Sequence, residues 1–270
     1  MPVSPFATPM PWDLLASAYE EEVLPGFRVF VESALRLAAP SAGARLADVA
    51  CGPGTLALVA AERGFEVDAV DFSPEMIALL ERAVRERRIS RIHPRLGDGQ
   101  ALPYPDGEHG GAFSLFGLMF FPDRARGFSE LRRILRPGAR AVVSSWQPME
   151  RSPTLATLFA VLQAALPSAP PPPSQPPPLG TAEAVRAEME QAFDEVEVHP
   201  VSTRVSFPSS AALWASVERS MPPLVLSRHQ LGQQAWARVS DRVRQTLTGS
   251  FGAGPVSLDL HAWLGVGSAP

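Results

Sequence analysis

The residues whose types and spacing most clearly suggest chemistry are Leu46-Ala47-Asp48-Val49-Ala50-Cys51-Gly52-Pro53-Gly54-Thr55. A short apolar run carries an acid near its end, passes through two glycines and enters a helical pattern. Gly52 and Gly54 lack a Cβ, so the backbone can turn tightly there and a ligand can approach closely. A helix starting at Thr55 turns free N–H groups toward that ligand. Asp71 closes the next apolar run, 17 residues after Gly54. If the two runs are neighbouring parallel strands, this carboxylate stands beside the glycine turn and can accept both hydroxyls of a ribose. A second acidic turn, Gly97-Asp98-Gly99-Gln100, follows a third run and is placed to meet an adenine edge. Gly52-x-Gly54-x-x-Ala57 also matches the dinucleotide fingerprint, so a nicotinamide-dependent oxidoreductase stays open at this point.

Composition narrows the choice. Among 270 residues there is no Lys and no Asn. That removes Schiff-base catalysis, a Walker lysine and the Tyr-x-x-x-Lys couple of many small reductases. The net charge of −4 argues against a nucleic-acid backbone as partner. Cys51 is the single cysteine, which excludes an internal disulfide and a Cys-rich metal site. The five histidines show no metal-ligand spacing, so no metal is expected. No run approaches the roughly 18 apolar residues that span a bilayer, and the first residues do not read as a signal peptide. A cytoplasmic protein without membrane contact is the expectation.

The elements that must position these residues follow from periodicity. A helical pattern covers about Asp13 to Ala38, interrupted near Pro25-Gly26. Strands are expected over Arg45–Ala50, Glu66–Val70, Arg91–Leu96, Gly111–Phe116 and Arg140–Trp146. Helices are expected between them over Thr55–Arg63, Ser73–Arg88 and Asp123–Leu135. Ser73-Pro74-Glu75 has the residues of a helix start: a capping hydroxyl, proline at the first turn and an acid at the positive end. Beyond Trp146 the pattern loosens. A helix over Pro153–Leu166 precedes eight prolines in the twelve positions 167–178, a loop or polyproline segment. A helix over Thr181–Ala192, a strand over Glu195–Val205, helices from Ser209 to about Phe251 and a strand over Val256–Val266 complete the chain. Strands alternating with helices predict an α/β fold with parallel pairing and helices on both faces.

These motifs together resemble the class I S-adenosylmethionine-dependent methyltransferases, in their bacterial small-molecule branch similar to the quinone-biosynthesis C-methyltransferases. The resemblance is carried by Asp48–Gly54, by Val70-Asp71-Phe72-Ser73-Pro74-Glu75-Met76, by Asp98–Asp106 and by Phe128–Gly138, within a stretch from Trp12 to about Trp146. It implies a Rossmann-like sheet of seven mostly parallel strands, the seventh antiparallel between the fifth and sixth. It implies a helical lid over residues 1–40, a cofactor core over 41–147, a helix and Pro-rich loop over 148–180, and the rest of the sheet over 181–270 with a helical insertion at about 206–255. The implied cofactor is S-adenosyl-L-methionine, held by Tyr19, Asp48, Ala50, Gly52, Gly54, Asp71, Phe72, Met76, Asp98, Gly99, Gln100, Phe116 and Leu118. The implied reaction is in-line methyl transfer to O, N or C of a small apolar or aromatic acceptor, by a monomer or homodimer. A homologue that binds the cofactor without transferring anything is the other alternative.

The acceptor side is less sharply drawn. Phe120, Phe121, Trp146 and Trp214 are candidates to line an apolar pocket. His109, His199 and His261 are candidate bases, with His109 expected in a solvated turn and the other two on late strands. Where many relatives carry an acid at the start of strand four this chain has Gly110-Gly111, and Pro137-Gly138-Ala139 replaces Pro-Gly-Gly.

Overall fold

The computed structural model describes residues 4–22, 24–165, 177–252 and 254–270. Two helices, α1 (Met10–Glu22) and α2 (Leu24–Ala38), precede β1 (Arg45–Val49), α3 (Thr55–Glu62), β2 (Glu66–Asp71), α4 (Pro74–Arg87), β3 (Ile92–Leu96), β4 (His109–Leu115), α5 (Arg124–Ile134) and β5 (Leu135–Trp146). There follow α6 (Pro153–Ala165), α7 (Ala182–Met189), β6 (Asp194–Phe207), α8 (Ser210–Ser220), α9 (Pro222–Leu231), α10 (Gln233–Phe251) and β7 (Val256–Ser268). The break expected near Pro25-Gly26 is not seen at those residues: both lie in the first turn of α2, where the missing N–H of Pro25 costs nothing, and residue 23 lies outside the described residues. Of the Pro-rich loop 167–178 only Pro177 and Pro178 are among the described residues.

The sheet runs β3-β2-β1-β4-β5-β7-β6. β1 to β5 pair in parallel, and β7 is antiparallel to both β5 and β6. Both faces are covered, which is why the central strands read as continuous apolar runs. Alternate residues go to opposite faces. Leu46, Val67 and Phe113 pack under α2, α3 and α4. Ala47, Val49, Val70 and Ala112 pack under α5 and α7. A third apolar cluster joins α6, α8 and α10 to the start of β7.

The expectation from residue types holds at the start of α4. Ser73 caps α4, its Oγ accepting from Met76 N at 3.2 Å. Asp123 caps α5 by accepting from Arg126 N at 3.0 Å. The start of β4 differs. The strand begins at His109, two residues before the expected Gly111, with a register shift between them. His109 is therefore not in a solvated turn: it is fully buried, and its Nε2 lies 2.8 Å from Asp68 Oδ2. Arg45 donates to both oxygens of Asp68, at 2.5 and 2.9 Å.

Burial pushes the Asp68 carboxyl up, but the hydrogen bonds from His109 and Arg45 outweigh it and hold the group at about 2. Because that lies below the unfolded value, the stabilisation is present above about pH 4 and is lost as pH falls toward 2. It amounts to about 2 kcal/mol. The stability difference between the native chain and Asp68→Asn, read from urea midpoints, should therefore shrink between pH 4 and pH 2. A difference independent of pH in that range would refute this account.

Candidate functional site

The carboxyl ends of β1, β2, β3 and β4 meet below α1, α2 and the three-residue turn Pro5–Ala7, and enclose a cavity of about 240 Å³. The β1 tip and the turn after it supply Asp48, Ala50, Cys51 and Gly52; the β2 tip supplies Asp71 and Phe72, and α4 supplies Met76; the turn after β3 supplies Asp98, Gly99 and Gln100; the end of β4 and the turn after it supply Leu115, Phe116 and Gly117. Trp12 and Tyr19, seven residues apart and so on one face of α1, line it from above, together with Phe27, Phe30 and Val31 of α2.

Local backbone geometry makes this arrangement possible. Gly54 caps α3 at φ 90°, a left-handed conformation that frees the helix N-terminus to face the cavity. Asp48 Oδ2 accepts from Ala57 N at 3.1 Å inside that first turn. Asp71 bridges two loops, its Oδ2 accepting from Gly52 N at 2.8 Å and its Oδ1 from Ser73 N at 2.9 Å. At Gly99 the backbone passes so close to the wall that a Cβ would stand 2.5 Å from Phe121 Cζ. Asp98 Oδ1 accepts from Gln100 N at 2.8 Å, which closes that turn. Ala50 and Phe116, at adjacent strand tips, hold left-handed φ values of 57° and 60°. Such strain persists only where the surroundings impose it, and it concentrates at functional sites.

The electrostatics are one-sided. Asp48, Asp71 and Asp98 line the cavity, and no Arg or His does so among the described residues. Burial lifts Asp71 to about 6 against the N–H groups of Ser73, Gly52 and Phe72, and the charge of Asp13 adds to the rise. Burial lifts Asp48 to about 7, opposed by Ala57 N and assisted by Asp71. Burial also raises the Tyr19 phenol well above its ordinary range, with Asp71 adding, so Tyr19 stays protonated. The Cys51 thiol is raised for the same reason and stays neutral.

Most of the expected cofactor set converges here: Tyr19, Asp48, Ala50, Gly52, Asp71, Phe72, Met76, Asp98, Gly99, Gln100 and Phe116 line one cavity, as do Phe120 and Phe121. Gly54 stands behind it, where a Cβ would meet Leu80 Cδ1 at 2.3 Å. Leu118 points away into the core under α5. Trp146 does not reach the cavity; it stacks behind Phe116 with ring centroids 4.0 Å apart. Trp214 lies in the cluster of α6, α8 and α10, where its Nε1 donates to Ser240 Oγ at 2.8 Å. His109 sits at the opposite end of β4 from the cavity. His199 Nε2 lies 3.0 Å from Glu197 Oε2, and His261 Nδ1 lies 2.6 Å from Ser202 Oγ; neither lines the cavity. The sequence reading missed Phe6, Trp12, Phe27 and Phe30. The seven-residue Trp12–Tyr19 spacing was the one signal that could have found part of this wall.

Residues 47–143 match the family described as Methyltransferase domain. The matched segment holds most of β1, all of β2 to β4, most of β5 and the strand tips around the cavity, but not the wall contributed by Pro5–Ala7, α1 and α2. A demethylmenaquinone methyltransferase of Thermus thermophilus is 38% identical over 117 residues, 43% of this chain and 53% of that one. The ubiquinone/menaquinone biosynthesis C-methyltransferase UbiE of Geobacter sulfurreducens is 36% identical over 107 residues, 38% of this chain and 42% of that one. The chain thus spans about half the length of these curated relatives or less. Among solved structures, the [4+2]-cyclase SpnF superposes with a TM-score of 0.57 at 18% identity, covering 89% of this chain and 81% of that one. A Haemonchus contortus phosphoethanolamine N-methyltransferase, in complex with S-adenosylhomocysteine, superposes with a TM-score of 0.57 at 16% identity, covering 96% and 58%. At such identity these two speak for the fold. Among the described residues no helix is long and apolar enough to cross a membrane, and no cluster of His, Cys, Asp and Glu could hold a metal ion.

Proposed function

We propose that the chain is an S-adenosylmethionine-dependent methyltransferase acting on a small, uncharged, apolar or aromatic acceptor. The observation that carries this reading is a cavity at the strand tips with three carboxylates and no cation among the described residues, roofed by aromatic rings. An acidic, aromatic-walled cleft suits a cationic sulfonium. It suits neither the pyrophosphate of a dinucleotide nor an acceptor bearing phosphate or carboxylate. In this reading Asp71 takes the ribose hydroxyls, the Asp98–Gln100 turn takes the adenine edge, and Gly52 with the start of α3 takes the methionine end. When bound, S-adenosylmethionine supplies a methyl carbon made electrophilic by the positive sulfur that carries it. The chain's contribution is alignment and exclusion of water by Phe27, Phe30 and Phe116. Among the described residues no histidine lines the cavity and Tyr19 holds its proton, so neither serves as a base for the acceptor.

Calorimetry tests this directly. S-adenosylmethionine and S-adenosylhomocysteine should bind at one site, and NADH and NADPH should not; the opposite pattern would return the chain to the oxidoreductase alternative. The charge argument adds a pH dependence. Protons and the sulfonium compete for Asp48 and Asp71, so affinity for S-adenosylmethionine should fall as pH is lowered from 8 through about 7 and 6. The uncharged sulfur of S-adenosylhomocysteine should make its affinity fall less, widening the ratio of the two by about tenfold across that range. Stability of the free protein should move the other way. These carboxyls bind protons more tightly folded than unfolded, so stability falls as pH rises from about 4 through 6 and 7.

A further inference from the structure

From the contacts of α1 we infer that Asp13 is a positioning residue that latches α1 over the cavity and, through Ser73, ties closure of that helix to Asp71. The inference rests on the reading of the cavity as a cofactor site. Asp13 belongs to α1, yet its Oδ1 accepts from Ser73 Oγ at 2.5 Å and lies 3.4 Å from Glu75 N, both at the start of α4. Ser73 is fully buried and does three things at once. Its Oγ donates to Asp13, the same oxygen caps Met76 N, and its own N–H holds Asp71 Oδ1 at 2.9 Å. One serine therefore connects the covering helix to the carboxylate at the tip of β2.

The packing around this bond explains why it can act as a latch. Leu15 and Ala16 of α1 bury against Met76 and Val225, with Trp12, Tyr19 and Leu79 alongside. That cluster is small and separate from the main cores. Trp12 and Tyr19 of the same helix wall the cavity, so lifting α1 widens the way in for a molecule as large as an adenosyl cofactor. Trp12 Nε1 also donates to Phe6 O at 2.9 Å, and the Phe6 and Trp12 rings both pack on Phe120, so the first turn moves with the helix. α1 also packs on α2, α8 and α9, so the short charge-assisted hydrogen bond is what ties it to α4 and Asp71, and peripheral contacts of this kind open more readily than the main cores. Asp13 also raises Asp71 by like charge, so the two acids face each other across Ser73.

The test is dissociation of S-adenosylhomocysteine by stopped-flow fluorescence, with hydrogen exchange over residues 10–22. Asp13→Ala removes the latch, and Asp13→Asn keeps an acceptor oxygen without the charge. Leu14→Ala, at an exposed position on the same helix, controls for substitution there. Expected for Asp13→Ala is dissociation faster by about tenfold with faster exchange in α1 of the complex, both largely restored in Asp13→Asn and unchanged in Leu14→Ala. Dissociation within twofold of the native chain, or unchanged α1 exchange in the complex, overturns the latch. If the native chain binds neither S-adenosylhomocysteine nor S-adenosylmethionine, the cofactor reading itself fails, and the inference with it.

Discussion

Asp71→Ala should weaken S-adenosylmethionine binding by a hundredfold or more while leaving the chain folded. Both effects follow from where the carboxylate sits. Its two oxygens are aimed by Gly52 N at 2.8 Å and Ser73 N at 2.9 Å, and the group lines the cavity at the tip of β2. Hydrogen bonds to an ionised acceptor are worth about 1.5–3 kcal/mol each. A ribose offers two hydroxyls, so their joint loss exceeds the 2.7 kcal/mol or so that a hundredfold represents. Stability should change little, because two losses and one gain nearly offset. Truncation leaves Gly52 N and Ser73 N without their partner, but it also removes a buried charge lifted to about 6. Asp71→Asn should not rescue binding: its amide nitrogen would face one of the two N–H groups that now point at oxygen. Calorimetry beside thermal unfolding separates the outcomes. Affinity within a few-fold of the native chain, at unchanged melting temperature, would remove the ribose role from Asp71.

How far such a site is legible beforehand depends on whether its residues are held by local or by tertiary forces. The Asp48–Thr55 turn, Asp71 and the Asp98–Gln100 turn were readable because each is a strand ending in a turn, and the sequence pattern marks the turn itself. The parallel pairing of β1 to β5 followed from their alternation with helices. The roof was harder. Phe27 and Phe30 look like the core face of any amphipathic helix, and only tertiary packing turns Phe27 toward Phe116 at 4.9 Å. Trp146 and Trp214 illustrate the reverse error. Both are large aromatics near predicted strand ends or helices, yet one stacks behind Phe116 and the other fills a distant cluster. His109 was misplaced because two glycines after it read as a turn, whereas small residues there let β4 start close to β1: a Cβ at Gly110 would stand 3.0 Å from Ala44 Cβ.

The strain at the β1 tip was not readable at all, and it supports the second large expectation: Gly117→Ala should be destabilising, and Ala50→Gly should cancel the effect. Gly117 sits at φ −103°, which alanine tolerates, so backbone preference does not exclude a side chain there. Space does. A Cβ at Gly117 would lie 2.3 Å from Ala50 Cβ, with Ser114 Oγ next at 3.3 Å. Ala50 cannot retreat easily, because it is already held at φ 57° between Val49 of β1 and Cys51 of the cofactor turn. Overpacking of this kind costs about 1–3 kcal/mol. The displaced Cys51–Gly52 turn should also release Asp71 Oδ2 and lower affinity for S-adenosylhomocysteine. Ala50→Gly alone should be close to neutral, since relief of a left-handed alanine, about 1 kcal/mol, is offset by the greater freedom of glycine when unfolded. In the double variant the new methyl group occupies the space the old one left. A double-mutant cycle on urea midpoints should give a coupling of about 2 kcal/mol. If Gly117→Ala costs the same with and without Ala50→Gly, the contact between the two strand tips does not set the geometry of the cofactor turn.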